Sequence, residues 1–295
     1  MLTFTGLSVA LATPFTPSFD VDFPAFRRLV RHVVAGGADN LVVLGSTGEA
    51  ATLLEPERDA LITACLEEAG QAKVVAGTGS NATAQAAAWT RRAQELGAQG
   101  ALVVTPYYNK PTPGGLVTHY QAVTDAAPGL PVIIYNVPGR TGLNLLPSTL
   151  ALLWRNPQLV AVKESSGNLA QIGEVARTLP HGKILLAGDD SLALPAISVG
   201  ASGLVSVIGN VLPQEIKKLV DLALAGRRAE AIAQHQALLP LMDALFLESN
   251  PIPTKAALAL MGICGDALRL PLVSASAATR ERLAELMLGA KSGVA

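Results

Sequence analysis

The sequence predicts an α/β protein built as one closed (β/α)8 barrel with a helical extension at its C-terminus. Three observations carry this. Short apolar runs rich in Val, Leu and Ile recur at fairly even spacing, and there are eight of them. Each is followed by a loop and then by a longer stretch with helical periodicity. The runs are continuous rather than alternating, as expected of parallel strands covered on both faces. Eight such units point to closure as a TIM barrel rather than an open sheet.

The expected strands are LSVALA (7–12), NLVVLG (40–45), KVVAG (73–77), ALVVT (101–105), PVIIYN (131–136), LVAVK (159–163), KILLAG (183–188) and GLVSVIG (203–209). Amphipathic segments such as DFPAFRRLVRHVVAGG and EPERDALITACLEEAG lie between them and end on the glycine expected after a helix. From about residue 213 only helical patterns remain, including LVDLALAGRRAEAIAQHQALLPLMDALF and TRERLAELMLG. These divide the chain into a catalytic barrel, 1–225, and a helical extension packed on it, 226–295, with no low-complexity linker between. The uncharged stretch from Ser191 to Gln214 is long enough to imitate a membrane span, but Pro195, Gly200, Gly203 and Gly209 divide it into a short helix, a turn and a buried strand.

Half of the 295 residues are apolar, only 15% are charged, and the net charge is -1. That balance supplies a large core and argues against nucleic acid or an anionic membrane as partner, leaving small soluble ligands. Cys65 and Cys264 are too far apart for a metal-binding CxxC and read as buried small hydrophobes. The N-terminal MLTFTGLSVALATPF lacks a basic segment before its apolar run, so the expected location is the cytoplasm.

Catalytic groups of such barrels come from the C-terminal ends of the strands and the loops after them. The polar residues at those places are Thr13, GSTGE (45–49), GTGSN (77–81), TPYYNKP (105–111), YNVPGRTG (135–142), Lys163 with Glu164, GDD (188–190) and SVIGN (206–210). A lysine ending a buried strand is informative, because burial disfavours the charged amine and leaves a nucleophile. Such an amine forms a Schiff base with a ketone, and the iminium is an electron sink for making or breaking the adjacent carbon–carbon bond. Val160, Ala161 and Val162 are the expected apolar wall around it. Tyr135, ending the neighbouring strand, is placed to carry protons. Ser46 and Thr47 offer hydroxyls, with backbone amides that could hold a carboxylate at a helix start, and Arg140 offers a planar fork for a second carboxylate. Taken alone, each of these residues has a bland reading as a core tyrosine, a solvated arginine or a tight turn. Their joint placement on one rim favours the functional one.

Two other classes find less support. GTGSNA fits the GxGxxG/A frame of dinucleotide-binding folds, but the acidic residue that should end the next strand is missing, since that strand ends at Thr105 and Pro106. His32, His119, His181 and His235 are scattered without ligand spacing, so no metal is expected.

With Lys163, Tyr135, GSTGE and the YYN loop in hand, the chain resembles the pyruvate-dependent class I aldolase superfamily, and most closely its dihydrodipicolinate synthases. GSTGEAATL, TPYYNKP, YNVPGRTG, VKESSGN, SGLVSV and NPIPTK appear in order over nearly the whole chain. The resemblance implies no cofactor beyond a covalent pyruvate imine on Lys163, whose enamine adds to L-aspartate 4-semialdehyde. It implies a proton relay of Tyr135, Ser46 and Tyr108, the last reaching into a neighbouring subunit's site. It also implies pyruvate carboxylate binding at Thr47, semialdehyde carboxylate binding at Arg140, pocket-lining roles for Gly188 and Val205, and a homotetramer built as a dimer of dimers. Ser46 stands where most synthases carry threonine, and Ser-Thr is typical of N-acetylneuraminate lyases, so an aldolase or lyase acting on a sugar-type aldehyde is the alternative. Arg140 favours the synthase. Ala50, Glu55 and Gln85 depart from the pattern of members inhibited by lysine.

Overall fold

The computed structural model of the protein describes residues 4–292; the outermost residues of the expected 1–225 and 226–295 units lie outside that range. Eight strands, β1 (Gly6–Ala10), β2 (Asn40–Val43), β3 (Lys73–Gly77), β4 (Gly100–Val104), β5 (Val132–Asn136), β6 (Leu159–Glu164), β7 (Ile184–Ala187) and β8 (Gly203–Ser206), close into one barrel in sequence order. Every pairing is parallel, including the closing one between β1 and β8, where Gly6 faces Gly203 and Val9 faces Ser206.

Seven strands lie within about two residues of their expected bounds. The eighth is shorter, because Val207 starts a turn and Ile208–Asn210 forms a 3-10 helix that continues the apolar run without being strand. The uncharged stretch behaves as expected: Ala193–Ser198 is a short helix, Gly200 turns the chain, and β8 follows. Among the described residues no helix is long and apolar enough to cross a membrane.

Two apolar layers hold the barrel. The smaller fills the interior and includes Phe4, Val42, Val75, Leu102, Ile133 and Leu186. The larger lies between the sheet and the surrounding helices. Phe23–Ala35 illustrates how the sequence makes such a helix: the Asp22 side chain accepts a hydrogen bond from the Ala25 N–H, Pro24 sits in the first turn, and Ala25, Phe26, Leu29, Val30 and Val33 form one buried stripe. Beyond the last barrel helix, Pro213–Leu224, the helices Arg228–Ala244, Ile252–Leu260 and Ala277–Ser292 add Leu238, Leu241, Leu258 and Leu283 to this same outer layer. Cys65 and Cys264 are buried free thiols, and burial pushes them up to about 12 and about 11.

Candidate active site

The orientation of Lys163 depends on one irregularity. Val132 of β5 pairs with Leu159 of β6, but its successor Ile133 pairs with Ala161, so Val160 is an extra residue in β6. Strand side chains alternate, and a single inserted residue flips every later side chain to the other face. Val160 and Ala161 therefore both belong to the interior, Val162 joins the outer layer, and Lys163 turns inward. Without the bulge the lysine would point into the helices. The expected wall of Val160, Ala161 and Val162 is corrected accordingly: Val162 faces away, and Ile133, Leu186 and Val205 belong to the interior in its place.

Lys163 is 4% exposed, and it pairs in register with Tyr135. Its Nζ lies 4.2 Å from the centre of the Tyr135 ring, a cation–π distance when the amine is protonated. Gly188, just past β7, leaves this amine its room: a Cβ there would stand 3.0 Å from Lys163 Cγ and Cε and 1.8 Å from Ser165 Oγ. Val205 of β8 is buried in the interior with Tyr135.

Across the barrel, the GSTGE stretch is not the start of a long helix. Ser46–Gly48 and Ala50–Thr52 are separate 3-10 turns around Glu49, which takes a left-handed φ of 52°, and the α-helix begins only at Glu55. Thr47 is buried, and its Oγ1 accepts from Asn250 Nδ2 at 2.9 Å, which leaves the hydroxyl hydrogen free to donate. The main-chain oxygen of the same Asn250 accepts from Arg140 Nη2 at 3.0 Å. One residue of the extension thus touches both expected carboxylate-binding side chains.

The stretch is fixed from below by a buried ion pair. Lys255 Nζ lies 2.7 Å from Glu49 Oε1, with side-chain exposures of 0% and 1%, and the Arg269 N–H donates to Glu49 Oε2 at 3.0 Å. Burial lowers the Lys255 pKa against the pull of Glu49. Arg58 holds the other side: it donates to the carbonyls of Gly77 (2.8 Å) and Ala50 (3.2 Å) and stacks on Trp89, and burial lowers it to about 10. The GTGSN glycines answer to close main-chain approaches rather than to a dinucleotide: a Cβ on Gly77 would stand 2.0 Å from the Leu44 carbonyl oxygen, and one on Gly79 2.5 Å from the Val104 nitrogen.

A cavity of about 410 Å³ opens at this end of the barrel, lined by Ser46, Tyr135 and Arg140 with Tyr107, Asn250 and Leu272 among others. Lys163, Thr47, Gly188 and Val205 lie outside that lining set. Lys163 sits against the Tyr135 ring, and Thr47 is reached through Asn250. Tyr108 stands apart: it is 88% exposed, and its backbone is held at a φ of 72°. Its N–H donates to the Thr141 carbonyl at 3.3 Å. A bulky residue in the left-handed region is strained, which marks the position as one the fold imposes. Glu55 accepts from Gln85 at 3.3 Å, so these two departures from the lysine-inhibited pattern face each other. No group of three or more His, Cys, Asp or Glu among the described residues could hold a metal ion.

The chain has known counterparts in sequence and in fold. Residues 3–289 match the model of the dihydrodipicolinate synthetase family. The chain belongs to that family. A 4-hydroxy-tetrahydrodipicolinate synthase of Cyanothece sp. is 45% identical over 288 residues, 97% of this chain and 98% of its own. The crystal structure of dihydrodipicolinate synthase from Aquifex aeolicus superposes with a TM-score of 0.95 at 41% identity, covering 98% of each chain. A dihydrodipicolinate synthase variant described as monomeric superposes with a TM-score of 0.95 at 39% identity, covering 99% of this chain and 98% of its own.

For this member of the dihydrodipicolinate synthetase family, sequence reasoning missed Asn250, the Glu49–Lys255 pair and Arg58. NPIPTK was read as a motif without a role, although Asn250 and Lys255 are its first and last residues. A lysine and a glutamate inside otherwise apolar or glycine-rich motifs were the available signal.

Proposed function

We propose that the protein is a Schiff-base-forming lyase that condenses pyruvate with L-aspartate 4-semialdehyde to 4-hydroxy-tetrahydrodipicolinate, in lysine (diaminopimelate) biosynthesis in the cytoplasm. The observation that carries the reading is the inward-facing, buried Lys163 stacked against Tyr135 on adjacent strand ends. Lys163 Nζ attacks C2 of pyruvate, water leaves, and loss of a C3 proton gives the enamine. The enamine carbon adds to the semialdehyde carbonyl. The substrate's own amine then attacks the imine carbon, closing the ring and releasing Lys163. Tyr135, Ser46 and Tyr108 form the proton relay. Thr47 receives the pyruvate carboxylate, Arg140 the semialdehyde carboxylate, and Gly188 and Val205 shape the pocket. No separate cofactor takes part, because the lysine imine is itself the electron sink. Residues 1–225 act as the catalytic barrel, and 226–295 as the extension that closes its mouth.

Arg140 supports the synthase over a lyase acting on a sugar-type aldehyde, since its guanidinium stands at the cavity wall where a second carboxylate needs a forked partner. Offered aspartate semialdehyde, N-acetylmannosamine and glyceraldehyde in parallel with pyruvate, the protein is expected to turn over the first. A preference for either other aldehyde sinks the reading. In Arg140→Ala, borohydride trapping of pyruvate on Lys163 is expected to persist, while condensation falls by about a hundredfold or more, as for loss of a charge-assisted bidentate contact. Equal loss of both steps would make the arginine structural.

A homotetramer, as a dimer of dimers, is the proposed assembly, with Tyr108 offered to the neighbouring subunit; its 88% exposure in the single chain supports this. Mixing, unfolding and refolding together the separately inactive Tyr108→Phe and Lys163→Ala chains should then restore activity. Each mixed pair regains one site holding both groups. A mixture as inactive as its components would mean that Tyr108 serves its own chain.

A further inference from the structure

We propose that Glu164 is a positioning residue: from the outer face of the sheet its carboxylate locks the ends of β5 and β6 together, and so sets the spacing of Tyr135 and Lys163 on the inner face. The inference rests on the aldolase reading above.

Tyr135 with Lys163, and Asn136 with Glu164, are successive rungs of one strand pair. Alternation puts the first pair inside the barrel and the second outside, back to back through the same backbone. Glu164 is 2% exposed and Asn136 fully buried. The donors to the carboxylate are neutral. Oε1 accepts from Asn136 Nδ2 (3.1 Å) and the Ser166 N–H (2.8 Å), and Oε2 from Asn136 Nδ2 (3.0 Å) and Gln171 Nε2 (3.3 Å). Asn136 Nδ2 also donates to Asn144 Oδ1 (2.9 Å), its Oδ1 accepts from the Leu145 N–H (2.9 Å), and Asn144 Nδ2 donates to Gln171 Oε1 (2.8 Å).

The chemistry of this cluster selects a carboxylate. Three donor groups converge on one point, and only an acceptor-only side chain can satisfy all of them. A glutamine would turn its own N–H₂ toward the amides of Asn136 or Gln171. Burying an anion without a counter-charge is costly unless its oxygens are filled, and stability alone would be met more simply by an apolar residue in the outer layer. What the anion adds is stiffness: it joins β5, β6, the loop at Ser166 and the helix Leu169–Thr178 directly behind the two groups that must exchange a proton. Misplacement of reacting groups by about 1 Å costs on the order of a hundredfold in rate.

The test measures borohydride trapping of pyruvate on Lys163, per folded chain, at temperatures where circular dichroism reports the native state. If wild-type protein gives no adduct, the aldolase reading fails, and this inference with it. Given a wild-type adduct, Glu164→Gln is expected to trap at saturating pyruvate at least about tenfold more slowly. The half-saturating pyruvate concentration should stay within about twofold, because Thr47 lies on the untouched loop after β2. Gln171→Leu, which removes one donor, should slow trapping in the same direction by a few-fold. The exchange Asn136→Asp with Glu164→Gln rebuilds an amide–carboxylate bond of reversed polarity and should recover part of the rate. A purely structural role would lower the melting temperature and leave the trapping rate of folded chains unchanged. That result for Glu164→Gln and Gln171→Leu overturns the proposal, and if Glu164→Gln does not fold, Gln171→Leu decides alone.

Discussion

Lys163→Ala is expected to lower kcat/KM by at least about a thousandfold, the order seen when a covalent nucleophile is removed while the rest of a site stands. No adduct should form with pyruvate and borohydride, and mass spectrometry should find the chain at its unmodified mass. Stability should move the other way. Lys163 is 4% exposed, with its amine against the Tyr135 ring, a place where a polar group costs the fold stability. The melting temperature of the variant is therefore expected to equal or exceed that of the wild type. Substantial residual turnover, or an adduct on another lysine, would end the Schiff-base mechanism at Lys163.

Glu49→Ala is expected to cost about 3–5 kcal/mol of folding stability, because it strands the Lys255 amine at 0% exposure without its partner. Chemical denaturation of wild type and variant measures this directly. The loss carries a pH signature with a definite sign. Burial already lowers the Lys255 pKa below the ordinary 10.5. With Glu49 gone, the folded-state pKa falls further while the unfolded value stays in place. The unfolded chain then binds more protons between those two values, so stability rises with pH across that window. The deficit should be largest near neutrality, and should shrink as pH climbs toward 10.5. The double variant Glu49→Gln, Lys255→Met should recover much of the loss, since neither side chain carries a charge. A cost below about 1 kcal/mol for Glu49→Ala would show that water or another group reaches the amine.

The barrel was legible because strand runs such as VIIYN and LVAVK are dense in β-branched residues and repeat with helices between them. Period and composition are local quantities, and they ended the eighth strand late for the same reason, since Val207 and Ile208 are as apolar in a 3-10 turn as in a strand. The rim positions of Lys163, Tyr135 and Arg140 followed from counting strands. What one-dimensional reading lacked was pairing. The extra residue at Val160 exists only relative to β5, so nothing in LVAVK announces which way the lysine turns. Asn250 and Lys255 meet Thr47 and Glu49 across more than 200 positions of sequence. GTGSN looked like a phosphate cradle because glycine reports a close backbone approach without saying what approaches, which here is the Leu44 carbonyl.

The distance between Glu49 and Lys255 along the chain, 206 positions, also sets an order of events during synthesis. At about 5–20 residues per second, the ribosome delivers the lysine roughly 10–40 s after the glutamate. All eight strands are by then already made. Through that interval the turn carrying Ser46 and Thr47 lacks Lys255, Asn250 and Arg269. A nascent barrel can close its sheet before the turn at Ser46 and Thr47 is braced, and the segment from Asn250 to Arg269 then adds its contacts to one end of an already assembled shell.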